Sequence, residues 1–252
     1  MTTLDFTLTA PVNLRDLGGI PISGGILRTG LAIRSDDLST ITPAHARDLA
    51  SRGLVSVIDL RSNDEVALTG RGPLSEHAIA YHHLPLMSDI RSAGTADEPF
   101  PTSRAAFGEM YATMMESAAP QLVSALAIIA VAPGTTAFHC AAGADRTGVL
   151  AAALLLTLGA ADDDIVADYG VTGTNMDAIT ARLAPVMGVL LARLGFDFED
   201  AAAVRSDEAW DVPVRSMLAL LRDRHGDALA PLRAAGLGDD TVALLRRRAL
   251  TS

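Results

Sequence analysis

Lysine is absent from this 252-residue chain: all 20 basic residues are arginine, set against 30 acidic ones, for a net charge of −10. That balance argues against nucleic acid or an anionic membrane as a general partner. Cysteine occurs once, at Cys140, which excludes an intrachain disulfide and fits a reducing compartment. No uninterrupted apolar run reaches the roughly 20 residues of a spanning helix, so no transmembrane segment is expected. A basic region followed by an apolar stretch is missing from the N-terminus, so no conventional secretory signal is read and a cytoplasmic location is expected, with unconventional export left open. Internal repeats and long linkers are also missing, and the length suits a single α/β domain over residues 1–252.

What the chain does have centres on that cysteine, in His139-Cys140-Ala141-Ala142-Gly143-Ala144-Asp145-Arg146-Thr147-Gly148. Thr135 to His139 reads as a strand and Thr147 to Leu158 as an apolar helix, so the loop between them directs amides and a helix N-terminus at the sulfur. That field favours a thiolate, and a thiolate near neutral pH is a nucleophile. Arg146 follows where its planar fork can hold two oxygens of a phosphate and grip them harder as charge spreads in the transition state. The Thr147 hydroxyl is positioned to donate to the sulfur as it leaves. Gly143 and Gly148 are expected to let the backbone turn tightly beside the ligand. Residues His139, Ala141, Ala142, Gly143, Ala144, Asp145 and Arg146 form the expected substrate cradle, with Cys140 as nucleophile. No metal and no other cofactor is called for, because arginine and amides supply the positive charge.

Such chemistry needs a group to protonate the leaving oxygen. Two residues qualify: Asp145 inside the loop, and Asp89, which follows the strand-like Ala80 to Pro85 and opens a polar stretch. His82 and His83 do not suggest a metal, since neighbours on a strand point to opposite faces and no further ligand sits at a suitable spacing. Asp162-Asp163-Asp164 reads as the charged first turn of a helix. Arg15 with Asp16, and Asp59 with Arg61, read as ion pairs near the site.

The loop resembles the signature of cysteine-dependent protein tyrosine phosphatases. More narrowly, it is similar to that of atypical bacterial tyrosine phosphatases, H-C-x-x-G-K-D-R-T-G, which act on phosphotyrosine, phosphoserine/threonine and phosphoinositides. Asn13-Leu14-Arg15-Asp16-Leu17-Gly18-Gly19 is similar to their N-x-R-D-x-G-G element. Arg28 to Asp36 resembles the strand pair that follows, and Asp59-Leu60-Arg61 with Glu65 resembles a D-L-R-x-x-x-E stretch. The resemblance covers residues 10–250. It implies a cysteinyl-phosphate intermediate, a phosphorylated protein or peptide as substrate, phosphoinositide as a further substrate, and inorganic phosphate as product. The D-R pair of that group suggests Asp145 as the acid. One departure concerns specificity: the group has lysine where this chain has Ala144, which removes a charge expected at the pocket rim to hold multiply charged headgroups. Arg91, Arg104 or another arginine is available to replace it. Two other classes share some of these features: a phosphate-binding pseudophosphatase without turnover, and a rhodanese-like sulfurtransferase, whose loop usually lacks the H-C…D-R-T-G arrangement.

Strands are expected at Leu4 to Thr9, Ile26 to Arg34, Val55 to Leu60, Ala80 to Pro85 and Thr135 to His139. Helices are expected from Thr42-Pro43 to Arg52, Ser62 to Leu68, Ala105 to Ala132, Thr147 to Leu158, Ala161 to Tyr169, Thr174 to Leu194, Val214 to Arg224, Ala228 to Ala235 and Asp239 to Leu250. The fold class is therefore α/β, a twisted sheet flanked by helices, and the resemblance implies that the sheet is tyrosine-phosphatase-like. Residues 88–118 suggest a lid, with Phe107, Met110, Tyr111, Met114 and Met115 as an apolar face, and residues 161–252 a helical C-terminal part.

Overall fold

The computed structural model describes residues 7–87, 103–195, 198 and 210–250. A five-stranded sheet organises them, built from β1 (Arg15–Asp16), β4 (Ala32–Ser35), β5 (Leu54–Asp59), β6 (Ala80–His83) and β7 (Thr135–His139) in the order β1-β4-β7-β5-β6. All pairings are parallel except β1 with β4. The strand β7 is buried along its whole length, as a central parallel strand covered on both faces must be. Register sets Ser35 and Asp59 on either side of His139. Three chain segments therefore leave the sheet together at its carboxyl edge, where open α/β sheets hold their ligands. The Thr9–Ile41 bridge is all that is described of the first expected strand.

Helices α1 (Pro43–Ser51), α2 (Asn63–Thr69), α3 (Arg104–Ser117), α4 (Ala119–Val131), α5 (Asp145–Leu158), α6 (Asp162–Thr174), α7 (Met176–Leu194), α8 (Val212–His225), α9 (Ala230–Ala234) and α10 (Asp239–Leu250) surround the sheet. Thr42 and Ser62 cap α1 and α2 as their sequences predict, Ser62 and Glu65 forming a reciprocal capping box. Helix α5 is apolar on every side because it runs through the interior, packed by α3, α4, α6 and α10. One apolar cluster joins Leu17 near the start to Ala249 near the end.

Three local expectations change. The stretch from Ile26 to Arg34 is two strands, β4 and the short β3 (Gly25–Ile26) paired with β2 (Pro21–Ile22), separated by a turn at Gly30, φ 75°. The single helix expected over 105–132 breaks at Ala118, and the segments on either side of it meet at 74°. Pro120 explains the break, since its ring excludes the preceding helical carbonyl and it has no N–H to donate. The catalytic-loop helix starts at Asp145, two residues early, which puts Asp145 and Arg146 on its first turn. Phe107, Tyr111, Met114 and Met115 face the core, not an open cleft. Residues 88–102 of the expected lid, with Asp89 and Arg91, lie outside the described residues. Among the described residues no single helix is long and apolar enough to cross a membrane.

Candidate active site

Cys140 directly follows β7 and is buried, with 1% of its surface exposed. Beyond it the carbonyl oxygens turn outward, each onto a named donor. Ala141 accepts from the Asp37 amide at 2.9 Å. Ala142 accepts from Asn13 Nδ2 at 3.3 Å, and Gly143 from Asn13 Nδ2 at 3.2 Å and a buried Arg34 nitrogen at 2.9 Å. In a trans peptide the N–H points opposite to the C=O. Outward carbonyls at 141–143 therefore turn the amides of Ala142, Gly143 and Ala144 toward the inside of the loop. The first-turn amides of α5 have no intrahelical acceptor and add to that ring. Such a concave set of N–H groups binds anions.

Gly143 is required by the loop's geometry. Its φ is 68°, and a Cβ there would lie 2.6 Å from the Asp36 nitrogen and the Ser35 oxygen. Gly148 serves differently from the sequence-based expectation: it is helical, and its missing side chain makes room for the Tyr169 ring, 2.9 Å from where a Cβ would stand.

Arg146 is fixed by a partner 81 residues away. Its two terminal nitrogens donate to Glu65 Oε2 at 2.5 Å and Oε1 at 2.9 Å, a bidentate fork. Glu65 is itself held by the Ser62 amide at 2.7 Å, so the capping box of α2 doubles as the arginine's anchor. Burial alone would lower the Arg146 guanidinium, but the charges of Glu65, Cys140 and Asp145 around it more than reverse this and push it up. Burial would likewise raise the Glu65 carboxyl, and Arg146 with the Ser62 bonds holds it below the usual carboxylate range.

The loop's outer supports are buried carboxylate–arginine pairs. Asp168 on α6 bridges Arg15, at 2.9 Å, and Arg34. Burial and the like charge of Arg34 pull Arg15 down to about 10, against the attraction of Asp168. The expected Arg15–Asp16 pair does not form; Asp16 instead accepts the amides of Gly18 and Gly30, each at 2.7 Å. Asp36 takes Arg182 of α7 at 2.6 Å and the Asn13 amide at 3.0 Å. Asp59 and Arg61 do pair, at 2.6 Å, with Arg61 also reaching Asp37. Burial of Asp59 favours the neutral acid, but His139 and Arg61 overcome this and depress its pKa strongly.

Side chains of the remaining sequence-predicted residues fall as follows. His139 directs its ring away from the loop interior: Nδ1 lies 3.1 Å from the Cys140 carbonyl and 3.3 Å from the Leu38 amide, and Nε2 lies 3.7 Å from Asp59. Asp145 accepts a 2.5 Å hydrogen bond from Tyr111. The Thr147 hydroxyl is buried with no hydrogen-bond partner among the described residues. Ala144 is 0% exposed, packed with Ala142 against Ile179, Val12 and Leu183. Position 144 is thus under α7 and not at an open rim. Arg104, considered for the missing charge, is buried with its guanidinium 3.8 Å over the Trp210 ring. His83 Nε2 donates to the Arg61 carbonyl, 2.8 Å away. Among the described residues no cluster of ligand-type side chains could hold a metal.

Sequence reasoning singled out Glu65 and Asp36 only as parts of motifs and Tyr111 only on the apolar face of the expected lid, and it missed Asp168, Arg182 and Tyr169 as parts of the site. Glu65 was findable: a glutamate at the third position of a capped helix after D-L-R. The others carry no local signal.

Fold and site together define a class: an α/β protein whose one thiol sits in a ring of main-chain amides beside an arginine gripped by glutamate. The model of the tyrosine phosphatase family matches residues 6–251, and the chain belongs to that family. It is 32% identical to a tyrosine-protein phosphatase of Nostoc commune over 145 residues, 56% of this chain and 47% of that one. A relative in Cupriavidus necator is 33% identical over 174 residues, covering 62% and 59%. The chain thus spans about half the length of these two relatives. Against the triple specificity protein phosphatase PtpB of Mycobacterium tuberculosis the identity is 26% over 270 residues, covering 93% of this chain and 95% of that one.

Proposed function

We propose that this chain is a single catalytic domain that hydrolyses phosphate monoesters, those of phosphotyrosine in proteins first, through a cysteinyl-phosphate intermediate. The observation that carries the reading is the Glu65–Arg146 fork in the loop of a buried cysteine, with the carbonyls of Ala141, Ala142 and Gly143 after it bonded to Asp37, Asn13 and Arg34. In the first step the Cys140 thiolate attacks phosphorus and the P–O ester bond breaks. The loop amides and Arg146 stabilise the equatorial oxygens. Asp145 gives its proton to the leaving oxygen. In the second step water attacks phosphorus, the S–P bond breaks, and Asp145 takes the water's proton, restoring thiolate and acid. Thr147, whose buried hydroxyl has no partner among the described residues, donates to the sulfur as it departs.

The preference for phosphotyrosine over multiply phosphorylated lipid rests on charge. Arg15, Arg34, Arg61 and Arg182 around the loop are each committed to a buried carboxylate, and position 144 offers a covered methyl group. A headgroup with several phosphates gains little there.

The test is a panel of phosphotyrosyl and phosphoseryl peptides and phosphoinositides, assayed with wild type and Cys140→Ser, with vanadate as inhibitor. Expected are turnover of phosphotyrosyl peptides, its loss in Cys140→Ser, and inhibition by vanadate. Turnover surviving Cys140→Ser refutes the mechanism, and binding without any turnover makes the chain a pseudophosphatase. Faster hydrolysis of phosphoinositides than of peptides refutes the substrate assignment. Asp145→Asn and Asp89→Asn, compared on a poor leaving group, decide the acid.

A further inference from the structure

Tyr111 on α3 and Tyr169 on α6 meet behind the first turn of α5. Their hydroxyl oxygens are 2.7 Å apart, and Tyr111 donates to Asp145 Oδ1 at 2.5 Å. With that proton committed to the carboxylate, the bond between the phenols runs from Tyr169 to Tyr111, a directed chain Tyr169 → Tyr111 → Asp145. Hydrogen bonds in such a chain polarise one another. Both rings are buried and set edge to face, centroids 6.0 Å apart, with Phe107 against Tyr111 at 6.2 Å and Trp210 against Tyr169 at 6.1 Å. The phenols therefore have no freedom to swing. Gly148 completes the arrangement, since any side chain there would strike Tyr169.

Buried aromatic residues normally serve packing, and phenylalanine would pack as well. What packing does not require is two hydroxyls in line, ending on a half-buried carboxylate next to Arg146. A carboxylate on a helix's first turn has several rotamers, and only some bring an oxygen to an ester held over Cys140. A 2.5 Å bond from a rigid phenol selects among them.

We propose that Tyr111, oriented by Tyr169, is the positioning residue that holds Asp145 where it can pass its proton to the leaving oxygen. The proposal rests on the phosphatase reading above. Hydroxyls can both donate and accept, so the chain adapts its donors as Asp145 loses its proton in the first step and regains it from water in the second. The proton given to the leaving oxygen departs with the product alcohol and the attacking water replaces it, so no reactant beyond water is needed.

The experiment is kcat/KM, which reports the step that breaks the ester bond, across aryl phosphates from p-nitrophenyl to phenyl phosphate. Misplacing a reacting group by an ångström costs up to about 100-fold, and proton donation matters most for the poorest leaving group. In Tyr111→Phe the loss is therefore expected to grow along the series, from about threefold at p-nitrophenyl phosphate to about thirtyfold at phenyl phosphate. Asp145→Asn should show the same trend more steeply, and Tyr111→Phe added to Asp145→Asn should cost nothing further. Tyr169→Phe should give a smaller loss with the same trend, and it decides the matter if Tyr111→Phe does not fold. A uniform loss across the series, or losses that multiply in the double variant, overturns the proposal. Wild-type hydrolysis of p-nitrophenyl phosphate, abolished in Cys140→Ser, reports on the phosphatase reading separately, so the two failures are distinguishable.

Discussion

Replacing Glu65 by glutamine tests the pair on which the site's rigidity depends. The side chain keeps its length, but an NH2 group now faces the Arg146 guanidinium, and a buried positive charge loses its counter-ion. Removing one partner of a buried ion pair costs about 3–5 kcal/mol. Because the amide oxygen can still accept one bond, from Arg146 or from the Ser62 amide, the lower end applies, about 3 kcal/mol. For a domain of this size each kcal/mol moves Tm by about 2–4 °C, so thermal unfolding should shift down by about 6–12 °C. The pH dependence follows from the direction of the Glu65 shift. Its carboxyl ionises below the unfolded value of about 4.3. The stabilisation is therefore fully present above that pH and is lost as pH falls through the folded-state value. The gap between wild type and Glu65→Gln should narrow as the pH is lowered below about 4. Combining Glu65→Gln with Arg146→Met should cost at least about 1 kcal/mol less than the two single changes added, since the second change removes the stranded charge. A Tm within 2 °C of wild type, or strict additivity in the double variant, would refute the reasoning, whatever the activity does.

Two further outcomes follow from the loop. Gly143→Ala meets both a left-handed backbone and a 2.6 Å approach to Ser35 and Asp36; it should destabilise by about 1–3 kcal/mol and lower turnover more than tenfold, while unchanged turnover and Tm would show that the loop is slack. Ala144→Lys, although it restores the residue typical of the related loops, places an ammonium under Ile179 and Leu183. It should cost several kcal/mol or lift α7, detectable as faster proteolysis within residues 176–194, and full stability would mean that α7 does not cover this position.

Some of this molecule was plain in its residues. Strand-forming runs bounded by turn residues marked β5, β6 and β7, and Thr42-Pro43 and Ser62…Glu65 marked two helix starts, because capping is local chemistry. Where local signals competed, the reading slipped. Gly30 cut an expected strand, Pro120 cut an expected helix, and the loop helix opened at Asp145 because nothing in Ala144-Asp145-Arg146 opposes a helical turn. The Arg15–Asp16 pairing failed for a general reason: adjacent residues in a strand project to opposite faces, so each found its partner elsewhere.

By itself, then, the chain's order of residues determined the parts of the candidate site: a thiol, a glycine at the turn, an arginine at its distance, a strand before and a helix after. These depend on covalent spacing and backbone preference, which act over a few residues. Only the tertiary structure decided which carboxylate holds which arginine, that Asn13 and Arg34 draw the loop's carbonyls outward, that α7 covers Ala144, and that two phenols line up behind Asp145. Those contacts join residues up to 153 positions apart, and a buried charge or hydroxyl takes whatever partner the packing of the core brings within reach.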